Sequence, residues 1–149
     1  MGALTNHAEG LFIKAFFGTN RCTAAPATYY AALFTAAPGE TGGGTECDYT
    51  NYARVAISNV DASWDFNPDS GTDANSDGVA DDATIANAAE VAFPTAGAGD
   101  PDVATYWGLF DAATNGNLLI YDDLTTGVTI DPGDTPSFAI GALRYQQDT

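Results

Sequence analysis

The sequence predicts an all-β protein: an antiparallel β-sandwich of about seven or eight strands with one short N-terminal helix, in a single domain over residues 1–149. Three observations carry this expectation. Apolar residues recur at helical spacing only in residues 6–17. From Pro26 onward the apolar residues fall instead into short runs rich in Tyr, Phe, Val and Thr, which suit a pleated surface. Gly, Pro, Asn and Asp punctuate those runs, as they do between the strands of a sandwich. A length of 149 residues suits one domain and is short for two.

The helix is NHAEGLFIKAFF, residues 6–17, with Asn6 as its cap and Glu9 three residues on. Ala8, Leu11, Phe12, Ala15 and Phe16 share one face, and Gly18 ends it. Such a helix packs over one end of a sheet, or inserts into a partner or a membrane. Residues 29–36, YYAALFTA, are apolar on both faces, which predicts a strand between two packed layers. Residues 37–48 form a Gly-rich loop; no Lys-Ser/Thr pair ends it, so it is no phosphate loop. Residues 53–60 alternate, with Val55 and Ile57 inward. A polar, acidic loop fills about 67–83, and short strands follow at 84–86 and 90–93. Residues 105–111 and 117–122 flank Asn115-Gly116, the strongest hairpin signal in the chain. Strands at 127–130 and 137–145, joined by the turn Asp131-Pro132-Gly133-Asp134, complete the set.

Acids outnumber bases 20 to 4, for a formal charge of −16. This excludes nucleic acid as a partner, since phosphate contacts need clustered Lys and Arg, and disfavours an anionic membrane surface. No apolar run approaches the roughly 20 residues of a membrane span, and MGALTNHAEG reads as no secretory signal. The acids are concentrated: beyond residue 54 there are 16 acids and one base, Arg144. That surface is either a solvated anionic coat or a cation site. Leu, Ile, Val and Phe total only 28 residues, whereas Ala, Gly and Thr total 61. The expected core is therefore thin and aromatic-rich, and self-association would supply additional burial.

The most specific motif is Asp73-Ala-Asn75-Ser-Asp77-Gly78-Val79-Ala-Asp81-Asp82. Its spacing matches the first part of a calcium loop, with side-chain oxygens at positions one, three, five and nine, Gly at six and a carbonyl at seven. It also resembles the aspartate-rich repeats of thrombospondin type 3 and dockerin modules. Asp73, Asn75, Asp77, Val79 and Asp81 are thus candidate calcium ligands, and calcium is the one cofactor the sequence points to. Position twelve is Thr84, so a bidentate carboxylate must come from Asp82 or elsewhere. The plainer alternative is a solvated acidic loop. Nucleophilic catalysis has poor material, because the single histidine, His7, opens the helix. Nothing singles out one carboxylate pair for glycoside hydrolysis. Trp64 and Trp107 offer either a sugar-stacking face or core packing.

The chain resembles small tail-fibre-like virion proteins of tailed bacteriophages. The resemblance rests on the opening helix to Gly18, on Pro26-Ala-Thr-Tyr-Tyr-Ala-Ala-Leu-Phe-Thr-Ala-Ala-Pro38-Gly39, and on Tyr52-Ala53-Arg54-Val55. It continues through YWGLFDAATNGNLLIYDDL at 106–124, Ile130-Asp-Pro-Gly-Asp134 and Ser137-Phe-Ala-Ile-Gly-Ala-Leu143. It implies a non-enzymatic tail or tail-fibre-like subunit that assembles as an oligomer in the virion, built in the host cytoplasm. The implied partners are copies of itself and other virion proteins, of the tail or the major capsid protein. A capsid decoration (cement) protein of the head is the alternative. A calcium-dependent adhesion or carbohydrate-binding module is the more distant one. No catalytic residues transfer. Cys22 and Cys47 are expected to stay unbridged, as suits assembly in a reducing cytoplasm.

The acidic motif makes a direct prediction. Millimolar calcium, compared with chelator at constant ionic strength, raises the thermal midpoint, and Asp77→Ala abolishes the response. The gain is roughly 2.7 kcal/mol at a hundredfold excess over Kd. Equal midpoints would identify the loop as a solvated acidic surface.

Overall fold

A computed structural model describes residues 3–17, 25–66, 83–99 and 101–147. The chain runs β1 (Ala3–Leu4), α1 (Asn6–Phe17), β2 (Thr28–Ala36), β3 (Thr45–Glu46), β4 (Val55–Ser58), a 3-10 turn (Asp61–Ser63) and β5 (Trp64–Phe66). It continues as β6 (Ala83–Asn87), β7 (Val91–Ala92), β8 (Asp102–Phe110), β9 (Leu118–Ile130), β10 (Ser137–Phe138) and β11 (Arg144–Gln147). The structure is mostly β with one short N-terminal helix, and every described strand pair is antiparallel.

The large sheet has the order β1-β9-β8-β2, with β3 and β4 both pairing the far side of β2. A three-stranded sheet, β11-β6-β5, and a two-stranded ribbon, β10-β7, stand apart from it. Ala31, Leu33, Ile57, Trp107 and Leu109 of the large sheet share one core with Trp64 and Tyr145 of the small sheet and Val91 of the ribbon. An aromatic chain stitches these layers: Tyr49–Tyr52 at 5.2 Å, Tyr52–Phe93 at 6.3 Å, Phe93–Phe138 at 6.2 Å and Phe138–Trp107 at 6.3 Å between centroids. Ala32, Phe34, Phe110 and Leu118 form a second cluster on the opposite face, flanked by half-buried Tyr30, Tyr106 and Tyr121. The two-sided burial expected of β2 is observed, with residues 31–34 each at most 3 % exposed.

Several boundaries differ from expectation. The chain makes eleven strands among the described residues because β1, β3 and β5 are two- or three-residue pieces below the reach of periodicity. The runs expected at 117–122 and 127–130 are one strand, β9. Its partners jump from Ala104↔Val128 to Tyr106↔Asp123, so residues 124–127 oppose Thr105 alone in a wide bulge. The run expected at 137–145 is two strands in different sheets. Ala142 N–H bonds the Ala139 carbonyl at 3.0 Å, and Gly141 takes φ +77°, closing a turn that breaks the strand.

The helix cap is Thr5 rather than Asn6. The Thr5 hydroxyl accepts from Ala8 N–H at 3.3 Å and donates to the Leu118 carbonyl at 2.6 Å, while Thr5 N–H bonds the Leu119 carbonyl at 3.0 Å. Leu119 is the extra residue of a second β9 bulge, between Leu118 and Ile120. One buried threonine thus caps the helix and satisfies carbonyls at an irregular point of the sheet. Leu11, expected on the apolar helix face, is 45 % exposed. Gly18, its expected terminator, lies outside the described residues. No described helix is long and apolar enough to cross a membrane.

Asn87 holds the 139–143 turn from within. Its Nδ2 donates to the Ala89 and Ala139 carbonyls at 2.7 and 2.8 Å, and its Oδ1 accepts Leu143 N–H at 2.9 Å. Its backbone adds bonds to Leu143 and Gly141. Asn87 is 1 % exposed, so truncation strands buried donors and acceptors. Asn87→Ala is expected to lower stability by about 3 kcal/mol in urea unfolding, with an unchanged m-value.

Candidate functional site

The end of the large sheet nearest the β8–β9 connection is organised by Arg54. Its Nε and Nη2 donate to the two Glu46 carboxylate oxygens at 2.9 and 2.8 Å. Nη1 donates to the carbonyls of Ala112 and Asn115 at 2.9 and 2.8 Å. The guanidinium carbon lies 3.3 Å from the centroid of the Phe110 ring. A planar fork that bonds a carboxylate at both oxygens and stacks on an aromatic face requires arginine. Glu46 also accepts the Tyr52 hydroxyl at 2.8 Å, and that hydroxyl receives Leu33 N–H at 3.0 Å. Burial foremost, with the Glu46 charge beside it, pushes the Tyr52 hydroxyl above its ordinary value and keeps it a donor. Local sequence places these groups. Tyr52 N–H bonds the Tyr49 carbonyl at 2.8 Å across a turn in which Asn51 adopts φ +75°, a conformation asparagine tolerates.

The connection itself is locked at its base. Asp111 accepts Asn117 N–H at 2.7 Å and Asn117 Nδ2 at 2.8 Å on its two oxygens. Burial pushes the Asp111 carboxyl up, but the Asn117 bonds and nearby His7 outweigh it and leave it below its ordinary value. Asn115 and Gly116 take φ +54° and +74°, and a Cβ at Gly116 would collide with Asp111 and Ala112. Exposed residues 113–117 therefore project as a rigid tip. Beside this tip an open cavity of about 310 Å³ lies among Asn6, His7, Glu40, Thr41, Asn117 and Leu118. Asn6 N–H ties the helix to the Glu40 carbonyl at 3.1 Å, which fixes one wall of the cavity.

Asp102 anchors the strand's other end. One carboxylate oxygen accepts the Asp48 and Tyr49 amides at 2.8 and 2.9 Å. Cys47, just before them, is a free thiol and 2 % exposed. Burial first, then the charges of Asp102, Glu46 and Asp48, push it up to about 12, so it stays a protonated, inert thiol at neutral pH.

The calcium candidates Asp73, Asn75, Asp77, Val79 and Asp81 lie outside the described residues, as does Cys22. Among the described residues no three His, Cys, Asp or Glu side chains come together as a metal cluster. Trp64 and Trp107 are 5 % and 3 % exposed, so neither offers a sugar-stacking face; both are core residues, which corrects that part of the adhesion alternative. His7 is exposed in the first helical turn. The Arg54 cluster escaped sequence reasoning, although one signal was available: Arg54 is one of four bases in a chain with 20 acids, set at the head of an apolar strand.

A family model described as podophage GP4 fiber I protein gp80 matches residues 3–146. A search of curated proteins found no match.

Arg54→Ala leaves Glu46 without its cation and the tip carbonyls without their donor. The expected loss is about 3 kcal/mol in urea unfolding, with faster hydrogen exchange at the Asn117 amide. Arg54→Lys is expected to recover less than half of it, because a point ammonium cannot bond both oxygens while stacking on Phe110.

Proposed function

From the chain's membership of the podophage GP4 fiber I protein family, we propose that it serves in the tail fibre as an oligomer, contacting copies of itself as well as other virion proteins. The protein is a non-enzymatic structural component of the phage tail fibre, and its place is the virion. Association with other virion proteins follows from that membership. The family match, which spans nearly the whole described chain, carries this reading and favours the fibre over a head-decoration role.

The geometry supports a scaffold. A broad antiparallel sheet is braced on one face by two smaller sheets, and its end is stiffened by Arg54, Asp111 and Asn117. A stiff plate with a fixed tip transmits load and position without chemistry. Lean apolar content favours burial of further surface against neighbours, and the charge of −16 restricts close approach of copies to uncharged patches.

Quantitative mass spectrometry of purified particles, after separation of heads from tails, tests this. Peptides of this chain are expected in the tail fraction, in a few to tens of copies per particle. Hundreds of copies on the head would make it a cement protein, and absence from particles would overturn the structural reading.

A further inference from the structure

Asn115-Gly116 is the single Asn-Gly pair of the chain, and it sits at the exposed tip of the β8–β9 connection. Such a pair is chemically labile, because glycine has no Cβ to shield its backbone nitrogen. That nitrogen attacks the asparagine Cγ. The new N–Cγ bond closes a cyclic imide, the Cγ–Nδ2 bond breaks, and the Gly116 amide proton leaves with Nδ2 as ammonia. Solvent water then opens the imide at either carbonyl and leaves aspartate or isoaspartate.

The folded geometry opposes the first step. Ring closure requires the Gly116 nitrogen to lie on the same side of the Asn115 Cα–C bond as Cβ. Asn115 takes φ +54°, the left-handed conformation, in which ψ is about +30 to +60°. At those angles the Gly116 nitrogen lies anti to Cβ, out of reach of Cγ. Bringing it round turns the Cα–C bond, and the Asn115 carbonyl swings with it. Arg54 Nη1 holds that carbonyl at 2.8 Å and the neighbouring Ala112 carbonyl at 2.9 Å. Asp111 fixes the far side of the tip through Asn117 N–H and Nδ2 at 2.7 and 2.8 Å. The Asn115 carboxamide makes no hydrogen bond among the described residues, so the restraint acts through the backbone.

We propose that Asn115 is a latent deamidation site and that Arg54 is the latch that keeps it closed. The bond from Arg54 to the Asn115 carbonyl has to break before the imide forms. The change is then permanent. Isoaspartate lengthens the main chain by one carbon and converts the carbonyl that Arg54 held into a free carboxylate, so the original tip does not re-form. Aspartate restores the carbonyl but adds a charge to a tip already closed by Asp111. A component of a finished particle is not renewed by synthesis, so protection of this tip has to come from the fold itself.

Incubation of the full chain at mildly alkaline pH, with conversion at residue 115 followed by peptide mapping in a mass spectrometer, tests the latch. The folded wild type is expected to convert at least about 10-fold more slowly than the same chain held unfolded in urea. Arg54→Ala is expected to speed conversion about 10-fold or more, in step with hydrogen exchange at the Asn117 amide. Asn87→Ala is the matched control. It is expected to lose similar stability at the Ala139–Ala142 turn while leaving Arg54 in place, so residue 115 converts at close to the wild-type rate. Should Arg54→Ala fail to fold, Arg54→Lys replaces it, with an intermediate rate expected because an ammonium cannot reproduce the fork. Folded wild type converting as fast as the unfolded chain overturns the latch. A folded Arg54 variant converting at the wild-type rate does the same. Equal acceleration in Asn87→Ala and the Arg54 variants overturns it too, because the protection then belongs to global stability.

Discussion

The Arg54–Glu46 ion pair is where the large sheet, the tyrosine turn and the β8–β9 connection meet. Glu46 belongs to an edge strand of the large sheet, Arg54 stands at the entry to another, and Ala112 and Asn115 lie in the connection between two central ones. The side chains are 9 % and 26 % exposed, so the charges are largely out of water. A pair in that position adds little net stability over a well-packed apolar one, but it tolerates no missing member. Its value is geometric. The fork makes four hydrogen bonds, two to the Glu46 carboxylate and two to carbonyls of the connection, and the ring of Phe110 fixes the plane in which it lies.

The same economy recurs through the molecule. Thr5, Asn87, Asp102 and Asp111 are short polar side chains that bond backbone groups far away in sequence or across a turn. A chain with only 28 Leu, Ile, Val and Phe residues has little apolar mass with which to hold its loops. Directional bonds from side chain to backbone do that work, and those of buried Thr5 and Asn87 also satisfy groups that burial would otherwise leave without a partner. The aromatic chain from Tyr49 to Trp107 complements them, because each ring covers more area than an aliphatic side chain.

Strand β2, the β8–β9 hairpin and the single helix were legible because each rests on local periodicity or turn chemistry. Features that depend on distant partners were not. Thr5 is the helix cap because the Leu118 carbonyl is there to receive its hydroxyl, and Asn6, the better local candidate, is exposed. The split of residues 137–145 follows from Asn87 gripping the turn, more than fifty residues back in the sequence. The join of two expected strands into β9 is a register event in the pairing with β8, invisible along β9 alone. The Arg54 site draws on positions 46, 54, 112 and 115, a set no local pattern assembles. The two tryptophans read as core packing, the commoner fate of such rings, or as a sugar-stacking face, because composition does not say which side of a layer a ring faces.

The wide bulge at residues 124–127 has a consequence for how this sheet tolerates change. In an uninterrupted hairpin, inserting or deleting one residue exchanges the inward and outward faces of everything beyond it. Here four residues of β9 already lie opposite one of β8, and the pairing resumes at Val128 with Ile130 still buried. The bulge therefore acts as slack between two separately anchored stretches. Length variation there is absorbed locally, and neither the Arg54 end nor the buried Ala104–Ile130 end has to shift to accommodate it.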